Sequence, residues 1–349
     1  MRKAEPHNPK TLNYSAAVVI LNWNGKHFLE KYLSVVEAHS RIDGVSVVVA
    51  DNASTDDSLP YLRQHHPDVR IVTLDKNYGF AEGYNLALKQ IDAEYYILLN
   101  SDVEVTKDWL QPMFELMQQH PETAACMPKI LSAEDRTRFE YAGAAGGFMD
   151  KYGYAFCRGR LFDTVEEDRG QYNAESEIFW ASGACCMIRA SVFHAFGGFD
   201  DFFFAHMEEI DLCWRLKNAG YTIRYTPEST VYHVGGGTLP QKSPFKTYLN
   251  YRNNLLMMYK NLPQKHFKRT MLARMILDGV SCIYALLRGD ASVIRAVWKA
   301  HADFRKERPR YRQIRKSRDT PLAYPSCLYP RSIVYRYFVK GIREYSRIR

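Results

Sequence analysis

The 349-residue sequence predicts an α/β fold, with a mostly parallel sheet flanked by helices and a helical C-terminal region. Short apolar runs rich in β-branched residues alternate with helical segments through the first half of the chain. Acids and amides stand directly after several of these runs. The charge then changes sign: residues 241–349 carry 25 Lys/Arg and 6 Asp/Glu, whereas the preceding residues carry 22 and 33. These three observations predict a sheet-based first part and a basic second part.

The strands of the first half are predicted from continuous β-branched runs, which favour buried strands. We expect strands at 16–22, 45–51, 69–74 and 95–100. The segments between and after them have helical character, at 26–38, from the capping segment 52–57 to about 65, at 80–90 and at 108–119. This alternation predicts parallel pairing with right-handed crossovers.

The middle of the chain is less regular. Residues 132–175 are rich in Gly and Tyr and predict loops with short strands, and residues 179–189 are apolar. A helix is expected at 208–219, because Gly220 is a usual residue after a helix end, and short strands are expected at 221–225 and 230–233. After Gly235, Gly236 and Gly237, helices are predicted at 248–260, 267–288 and 292–305.

Bulk properties exclude several protein classes. The seven cysteines show no CxxC spacing, and the first residues lack an apolar leader segment, so we expect a reducing cytoplasm and no disulfide framework. The longest apolar run, 275–287, is shorter than the ~20 residues that a membrane span needs, so no span is predicted. The basic C-terminal part predicts an anionic partner such as a membrane surface, or simply a solvated helical surface. No nucleic-acid-binding motif is recognisable, so nucleic acid is not an expected partner.

The candidate ligand-binding residues follow the ends of the predicted strands. No GxGxxG, GxxxxGK[ST] or GxSxG motif follows a predicted strand, which argues against dinucleotide, P-loop and hydrolase sites. Polar residues that follow different parallel strands gather at one sheet edge, where ligands bind in open α/β folds. A carboxylate such as Asp51 can accept the imide N–H of a pyrimidine, and Asp102 can bind a hard divalent cation. Each residue taken alone is also explained as a cap or turn residue.

Seven segments together resemble a known family. They are VVILNWNG (18–25), VVVADNASTDDS (47–58), KNYGFAEGYNLAL (76–88), YYILLNSDVEV (95–105), WASGACCMIR (180–189), GGFDDFFFAHMEEIDLCWRLKNAGY (197–221) and VYHVGGGT (231–238). In this order they resemble the family 2 glycosyltransferases with a GT-A fold, the nucleotide-diphospho-sugar transferase fold, and are most similar to the bacterial rhamnosyltransferase-like branch. The resemblance implies an N-terminal extension at 1–14, a GT-A domain at 15–240 and a basic helical region at 241–349.

The resemblance also implies a donor site. Asp51 matches the residue that recognises the pyrimidine, and Asp102 and His233 match ligands of a Mg²⁺ or Mn²⁺ ion. Asn100 stands where the family's DxD motif has its first acid, which removes one charge from the metal site. The remaining donor-side residues implied by the motifs are Asn22, Asn24, Asn77, Gly79, Asn85 and Ser101.

The catalytic side is implied by HMEEIDLCWR. An inverting transfer needs a carboxylate that takes the proton of the acceptor hydroxyl, and Glu209 occupies the family's base position, where Asp is usual. Glu208 and Asp211 are alternative bases. The cluster is also explained as an acidic first turn, with an ion pair between Asp211 and Arg215. Donor sugar and acceptor are expected to meet beside Trp180, Ser182 and Gly183.

The predicted function is therefore inverting transfer of a sugar from a UDP- or dTDP-sugar to a hydroxyl of a glycan or lipid-linked acceptor in cell-surface polysaccharide synthesis. Residues 241–349 are expected to hold the protein at the inner face of the cell membrane, and a homodimer through 248–260 is an alternative use of that segment. Two other functions stay open. One is a catalytically silent GT-A-like protein that binds glycan or membrane, and the other is a sugar nucleotidyltransferase, for which LNWNGKHF is a poor triphosphate loop.

Overall fold

The computed structural model describes residues 15–235, 243–316, 325 and 327–348. The predicted extension at 1–14, the boundary at 240, and Gly236 and Gly237 lie outside these residues. The strands are β1 (Ala16–Asn22), β2 (Val45–Asp51), β3 (Arg70–Thr73), β4 (Tyr95–Asn100), β5 (Val103–Val105), β6 (Thr123–Ser132), β7 (Gly147–Asp150), β8 (Ala155–Cys157), β9 (Arg160–Leu161), β10 (Thr164–Val165), β11 (Ser176–Ile178), β12 (Cys185–Arg189), β13 (Thr222–His233) and β14 (Leu328–Tyr329). The helices are α1 (Lys26–His39), α2 (Ser58–His65), α3 (Gly79–Leu88), α4 (Gln111–Gln119), α5 (Ala190–Ala195), α6 (Glu208–Asn218), α7 (Pro244–Asn261), α8 (Phe267–Leu287) and α9 (Ala291–Lys316).

The main sheet positions the strand ends as predicted. Its strand order is β11-β13-β6-β12-β4-β1-β2-β3, with β5 paired to β13. β1 is parallel to both β2 and β4, and β2 is parallel to β3. The register sets Asn22 opposite Asp51 and Leu21 opposite Asn100. Because parallel strands end at the same edge, the polar residues after β1, β2 and β4 lie side by side.

Two strands differ from the prediction. β6 was not predicted, although its TAACMPKILS sequence is almost wholly buried between β12 and β13. The two short strands expected at 221–225 and 230–233 form one strand, β13, whose pairing with β6 shifts register between Thr226 and Thr230. A bulge of this kind bends a strand without ending it, which explains why the interruption was taken for a loop.

Residues 147–165 build a small second sheet with the order β10-β9-β8-β7-β14. Strand β14 comes from the C-terminal part and pairs in parallel with β7. A satellite core joins this sheet to the end of the described chain; its buried members are Phe156, Leu161, Ile333, Tyr337 and Ile348. The Gly- and Tyr-rich segment is thus a folded platform that the C-terminal part completes.

Helix α7 is part of the main body of the protein. Leu255, Leu256, Met257 and Met258 are fully buried in the core that also contains the sheet. Tyr248 and Tyr259 are 8% and 7% exposed and contact residues of the same chain. The suggestion that this segment forms a homodimer is therefore corrected, because its aromatic faces are already covered within one chain.

Helices α8 and α9 complete the described C-terminal part. Helix α9 continues through Pro309 to Lys316, beyond the predicted end at 305. The buried Tyr311 holds this extension by donating a hydrogen bond to Asp200 at 3.0 Å. By length and composition, α8 is long and apolar enough to cross a membrane, which the 13-residue run seen in the sequence did not predict; only 28% of its apolar window is buried.

Candidate functional site

A pocket of about 420 Å³ lies at the carboxyl edge of β1 and β4, between the start of α6 and the start of α7. This volume falls in the usual range of small-molecule sites, about 300–1,000 Å³. The pocket brings together eleven of the sequence-predicted site residues: Asn24, Asn77, Gly79, Asn100, Ser101, Asp102, Ser182, Gly183, Glu208, Glu209 and His233.

One end of the pocket contains the acid–histidine cluster, formed by Asp102, His233 and Glu140. The antiparallel pairing of β5 with β13 sets His233 opposite Val103, so residues 131 positions apart in sequence become neighbours. His233 Nε2 lies 3.1 Å from Asp102 Oδ1, and His233 Nδ1 lies 3.2 Å from Glu140 Oε2. Asn100 reaches the same edge, with its Nδ2 3.4 Å from His233 Nε2.

Charge pairing dominates the electrostatics of this cluster. Burial disfavours ionisation of Asp102, but the hydrogen bond and charge of His233 outweigh it and hold the Asp102 pKa below its usual value. Burial likewise disfavours the imidazolium, yet the hydrogen bonds and charges of Asp102 and Glu140 raise the pKa of His233 to about 10. The Asp102 carboxylate is therefore ionised at neutral pH.

Asp102 and His233 can hold a divalent cation that displaces the proton from His233 Nε2, because a metal-bound imidazole nitrogen carries no proton. Two ligand atoms at about 2.1 Å from one ion and at right angles are about 3 Å apart, close to the separation of Asp102 Oδ1 and His233 Nε2. Within the described residues, no group of three or more acid, Cys or His side chains is arranged to hold a metal. One or two protein ligands, completed by substrate phosphates and water, are a usual Mg²⁺ arrangement.

The pocket lining also contains the glutamate pair, Glu208 and Glu209, at the start of α6. One carboxylate oxygen of each residue, Oε2, is buried and has no hydrogen-bond partner among the described residues. Burial raises the pKa of Glu209 to about 7. Burial, and next the charge of Glu209, raise the Glu208 pKa well above its usual value. A carboxylate in this state is a competent proton acceptor near neutral pH.

The loop before the glutamate pair has a constrained backbone that α7 holds in place. Phe204, His206 and Met207 all have positive φ angles, between 64° and 73°, which is uncommon for residues other than glycine. The buried amide of Asn253 donates to the carbonyl oxygens of Phe203, Ala205 and His206 at 2.7–2.9 Å. Helix α7 thereby fixes the entry into α6 and the position of its first residues.

Asp211 does not share this environment, and the structure corrects its alternative assignment as the base. The side chain is fully buried and lies outside the pocket lining. It forms ion pairs with Arg215 at 2.8 Å and Lys260 at 2.7 Å, and it accepts a hydrogen bond from Asn261. These cations outweigh burial and lower the Asp211 pKa, so this carboxylate holds α6 and α7 together.

The donor-side loops are joined by amide hydrogen bonds. Asn77 Oδ1 accepts from Gly79 N at 2.8 Å and from Asn52 Nδ2 at 3.1 Å. Asn24 Oδ1 accepts from the backbone N–H of Thr55 at 2.7 Å. Gly79 has a positive φ of 74°, and an added Cβ would lie 2.5 Å from Phe204, so only glycine fits this contact.

Three predicted donor-side residues lie behind the pocket wall. Asn22 and Asp51 are fully buried and hydrogen-bonded to each other at 3.1 Å, and Asp51 also accepts from Ser54 N. The role of Asp51 toward a pyrimidine stays a prediction. Asn85 pairs with both backbone groups of Phe199, so the predicted donor contact of Asn85 is corrected to a hydrogen bond that joins α3 to a distant loop.

The predicted meeting place of donor and acceptor is partly corrected. Ser182 and Gly183 line the pocket, but Trp180 does not. The indole of Trp180 is 4% exposed, packs against Gly147 and donates from Nε1 to the carbonyl oxygen of Phe148 at 2.9 Å. Trp180 therefore fastens the small second sheet to the main sheet and offers no face to a sugar.

Several lining residues escaped the sequence prediction. Glu140 and His206 come from irregular loops, and Phe245 and Lys246 come from the first turn of α7. Burial, and next the charge of Lys246, lower the pKa of His206 to about 4, so this imidazole is neutral. Trp23, 42% exposed, also lines the pocket. The strand-end position of Trp23 was a usable signal, whereas Lys246 was one cation among many in a basic region.

A comparison with protein families identifies the chain. Residues 17–197, which carry most of the pocket-forming strands, match the family described as Glycosyl transferase family 2. The chain belongs to this family. It is a glycosyltransferase, as the resemblance implied, and the order and pairing of its strands place the pocket where that fold binds its ligands.

Individual relatives agree with this assignment. N-acetylglucosaminyl-diphospho-decaprenol L-rhamnosyltransferase of Mycobacterium tuberculosis is 28% identical over 62% of this chain and 75% of its own length. Two solved structures share the fold: S. aureus TarS in complex with UDP-GlcNAc (TM-score 0.54, 15% identity, 87% of this chain and 91% of that one) and the mannosyltransferase PcManGT from Pyrobaculum calidifontis with GDP-Man and Mn²⁺ (TM-score 0.51, 14% identity, 87% and 86%). The GT-A fold prediction is thereby confirmed.

Proposed function

We propose that this glycosyltransferase moves a sugar from a UDP- or dTDP-sugar to a hydroxyl group of a glycan or lipid-linked acceptor, with inversion at the anomeric carbon, in the synthesis of a cell-surface polysaccharide. The M. tuberculosis relative, whose name specifies a decaprenol-linked substrate and an L-rhamnosyl group, supports this acceptor class. Family membership favours this function over the sugar nucleotidyltransferase alternative. We further propose that residues 15–235 and α7 together form the catalytic unit.

The donor diphosphate is proposed to lie at the acid–histidine cluster. Asp102 and His233 hold a Mg²⁺ or Mn²⁺ ion there, and Glu140 orients the His233 ring from its other nitrogen, as carboxylates commonly do for metal-binding histidines. At this position Asp102 and His233 would hold an ion that supplies Lewis-acid stabilisation to the charge of the departing nucleoside diphosphate. Lys246, which lines the same pocket, adds a second positive charge for the phosphates.

The nucleoside and sugar are proposed to contact the remaining lining residues. Trp23 offers an exposed aromatic face to the base, and Asn24 and Asn77 present amides beside it. Ser182 and Gly183 line the part of the pocket where the donor sugar is proposed to lie. Gly183 has no side chain and therefore leaves room for a sugar ring. The neutral His206 faces the pocket with an unpartnered Nε2, among the described residues, that can bond to a sugar or acceptor hydroxyl.

Glu209 is proposed as the base. Its carboxylate accepts the proton of the acceptor hydroxyl while the oxygen of that hydroxyl attacks the anomeric carbon, and the nucleoside diphosphate departs from the opposite face. The observation that supports this proposal most strongly is the carboxyl group of Glu209, in the same pocket as the ionised Asp102. Its buried Oε2 has no hydrogen-bond partner among the described residues, and its pKa is raised to about 7. A catalytically silent binding protein has no need for this charge arrangement.

Thermal unfolding in the presence of UDP, dTDP, GDP and CDP, each with and without Mn²⁺, tests the donor side. A ligand at about 100 times its Kd adds about 2.7 kcal/mol to the free energy of unfolding. We expect a Mn²⁺-dependent rise with UDP or dTDP that Asp102→Ala abolishes and Glu228→Gln, at an exposed position, leaves intact. A rise that is equal in Asp102→Ala contradicts the assigned metal site, and no rise with any nucleotide favours the silent binding protein.

A further inference from the structure

The outer face of α8 presents an apolar stripe to solvent. Leu272, Ile276, Val280, Ile283 and Leu287 follow one another at intervals of four, four, three and four residues, which places them on one side of a helix. Their side chains are 53–81% exposed. A folded soluble surface rarely leaves a continuous row of large aliphatic side chains uncovered, and such patches mark interaction sites.

The opposite face of α8 is fastened to the body of the protein by buried polar contacts. Arg274 and Asp278 are 4% and 0% exposed and form an ion pair at 2.7 Å. Asp278 also pairs with His301 of α9 at 3.0 Å, and Arg274 donates to Asn254 of α7. These contacts fix the rotation of α8 about its axis, so the apolar stripe faces outward as a permanent feature of the surface.

The exposed charges of residues 267–288 have a single sign. Asp278 is the only acid from residue 267 to 288, and it points inward. Lys268 and Arg269 precede the stripe and Arg288 follows it, all exposed. An apolar row with basic residues at both ends and no exposed acid within residues 267–288 is complementary to the surface of an anionic bilayer, and the exposed Asp290 lies beyond the end of the helix.

The C-terminal segment enlarges this surface. The ring of Phe338 lies 6.4 Å from that of Tyr284, on the last turns of α8. Phe338 is 55% exposed and Val339 is 66% exposed, and Lys340 follows them. The uncovered apolar surface therefore continues from α8 onto a second element, again next to a cation.

We propose that the outer face of α8, together with Phe338 and Val339, docks the protein onto an anionic lipid bilayer, with α8 lying in the plane of the interface. The proposal rests on the lipid-linked acceptor of the proposed function, which needs an enzyme at the membrane surface. Helix α8 lies on the bilayer and does not cross it. Crossing would break the contacts of Arg274 and Asp278 with α7 and α9 and would place both charges in hydrocarbon.

Co-sedimentation of the full chain with vesicles tests the docking surface. We compare wild type, Ile276→Glu/Val280→Glu in the stripe, and Gln118→Glu/Gln119→Glu, which adds the same charge at exposed positions of α4. With phosphatidylcholine vesicles containing phosphatidylglycerol, we expect the partition coefficient of the stripe variant to fall at least tenfold while the α4 variant matches wild type. Binding is expected to weaken at high salt and with phosphatidylcholine alone.

Three results overturn the proposal. The first is equal vesicle binding by the stripe variant and wild type. The second is wild-type self-association in analytical ultracentrifugation that the stripe substitutions abolish, without vesicle binding, since this assigns the stripe to a second copy of the chain. The third is wild type that resists alkaline carbonate extraction, which indicates a spanning helix. Unchanged thermal unfolding of the stripe variant serves as the folding control.

The same variants separate this proposal from the proposed function. Stabilisation by UDP or dTDP with Mn²⁺ and hydrolysis of the donor sugar in solution depend on the pocket and not on α8. We expect both to be unchanged in the stripe variant. Loss of vesicle binding with these readouts intact supports the docking surface, whereas vesicle binding by a protein that lacks both readouts contradicts only the proposed function.

Discussion

Asp102 and Glu208 are almost equally buried, at 6% and 4% exposure, yet their carboxyl groups are shifted in opposite directions. Asp102, at one end of the pocket, faces His233, and its pKa is lowered. Burial raises the pKa of Glu208, and among the described residues the charges of Glu209 and Asp211 raise it further. Burial alone therefore does not decide the protonation state; the charge that each carboxyl group faces decides it.

This difference divides the chemistry within one pocket. The ionised Asp102 carboxylate is suited to attract a cation. Glu209, whose pKa is raised to about 7, exchanges its proton near neutral pH, which a proton acceptor requires. Substitutions at the acid–histidine cluster and at the glutamate pair should therefore have separable effects.

The largest effect is expected from Glu209→Gln. The substitution keeps the shape of the side chain but removes the proton acceptor, so we expect kcat for transfer to fall about 1,000-fold, within the usual range for a general base. Mn²⁺-dependent stabilisation by UDP or dTDP should stay at the wild-type level. Steady-state kinetics of Glu209→Gln and Glu228→Gln check this, and full activity in the first variant assigns the base elsewhere.

The next largest effect is expected at the acid–histidine cluster, from Glu140→Gln. Loss of this carboxylate leaves His233 oriented by Asp102 alone, and outer partners of metal-binding histidines are worth at least about tenfold in metal affinity. We expect the Mn²⁺ concentration for half-maximal stabilisation in the presence of UDP to rise about tenfold. An unchanged Mn²⁺ midpoint shows that Glu140 has no part in positioning His233.

A smaller effect on rate is expected from Asn253→Ala in α7. The substitution removes the buried amide donor from the carbonyl oxygens of Ala205 and His206, at a cost of about 1–3 kcal/mol in stability. The carbonyl oxygen of Phe203 keeps Arg252 and the Ala205 N–H as donors. Because the same loop positions Glu209, we expect kcat to fall about tenfold with little change in the donor KM. If the variant loses stability but keeps kcat, Asn253 supports the fold and does not position Glu209.

The smallest effect concerns stability and pH. The folded-state pKa of Glu209, about 7, exceeds its value in an unfolded chain, about 4.3. The folded state therefore binds the proton more tightly, and this contribution to stability is present below about pH 4 and is lost as the pH rises through about 7. We expect Glu209→Gln to raise Tm by about 2 °C or more at pH 8 relative to wild type, and by less at pH 5. A Tm difference independent of pH contradicts the assigned titration.

The sequence predicted the pocket residues at the strand ends better than the residues packed around them. The bounds of β1, β2 and β4 follow from their apolar runs, and the parallel register then brings Asn100 and Asp102 to the edge. His233 was placed by resemblance, because the pairing of β5 with β13 joins residues far apart in sequence. The sequence did not predict that Trp180 and Asp211 are buried, or which groups they contact. Burial and contacts depend on packing against elements that are distant in sequence.

The packing of the C-terminal helices was also not predictable from local sequence. Composition predicted one basic region, but α7 buries amides and charges against the catalytic unit while α8 turns an apolar stripe outward. Lys246 and Asn253 could not be recognised from spacing, because their neighbours lie on the loops after β6 and before α6. Local patterns predict elements well, and the use of each element is decided by the tertiary neighbours that cover one of its faces.

The most direct test of the central claim is the pH dependence of kcat/KM for the wild-type chain with its donor sugar and Mn²⁺. The unpaired Glu209 predicts a rise with pH that levels off above an apparent pKa near 7. Donor hydrolysis in the absence of acceptor provides the assay, and Glu209→Gln should lose this limb together with its activity. A flat profile from about pH 5.5 to 8.5 contradicts the account, since a base paired and ionised like Asp102 would give that result.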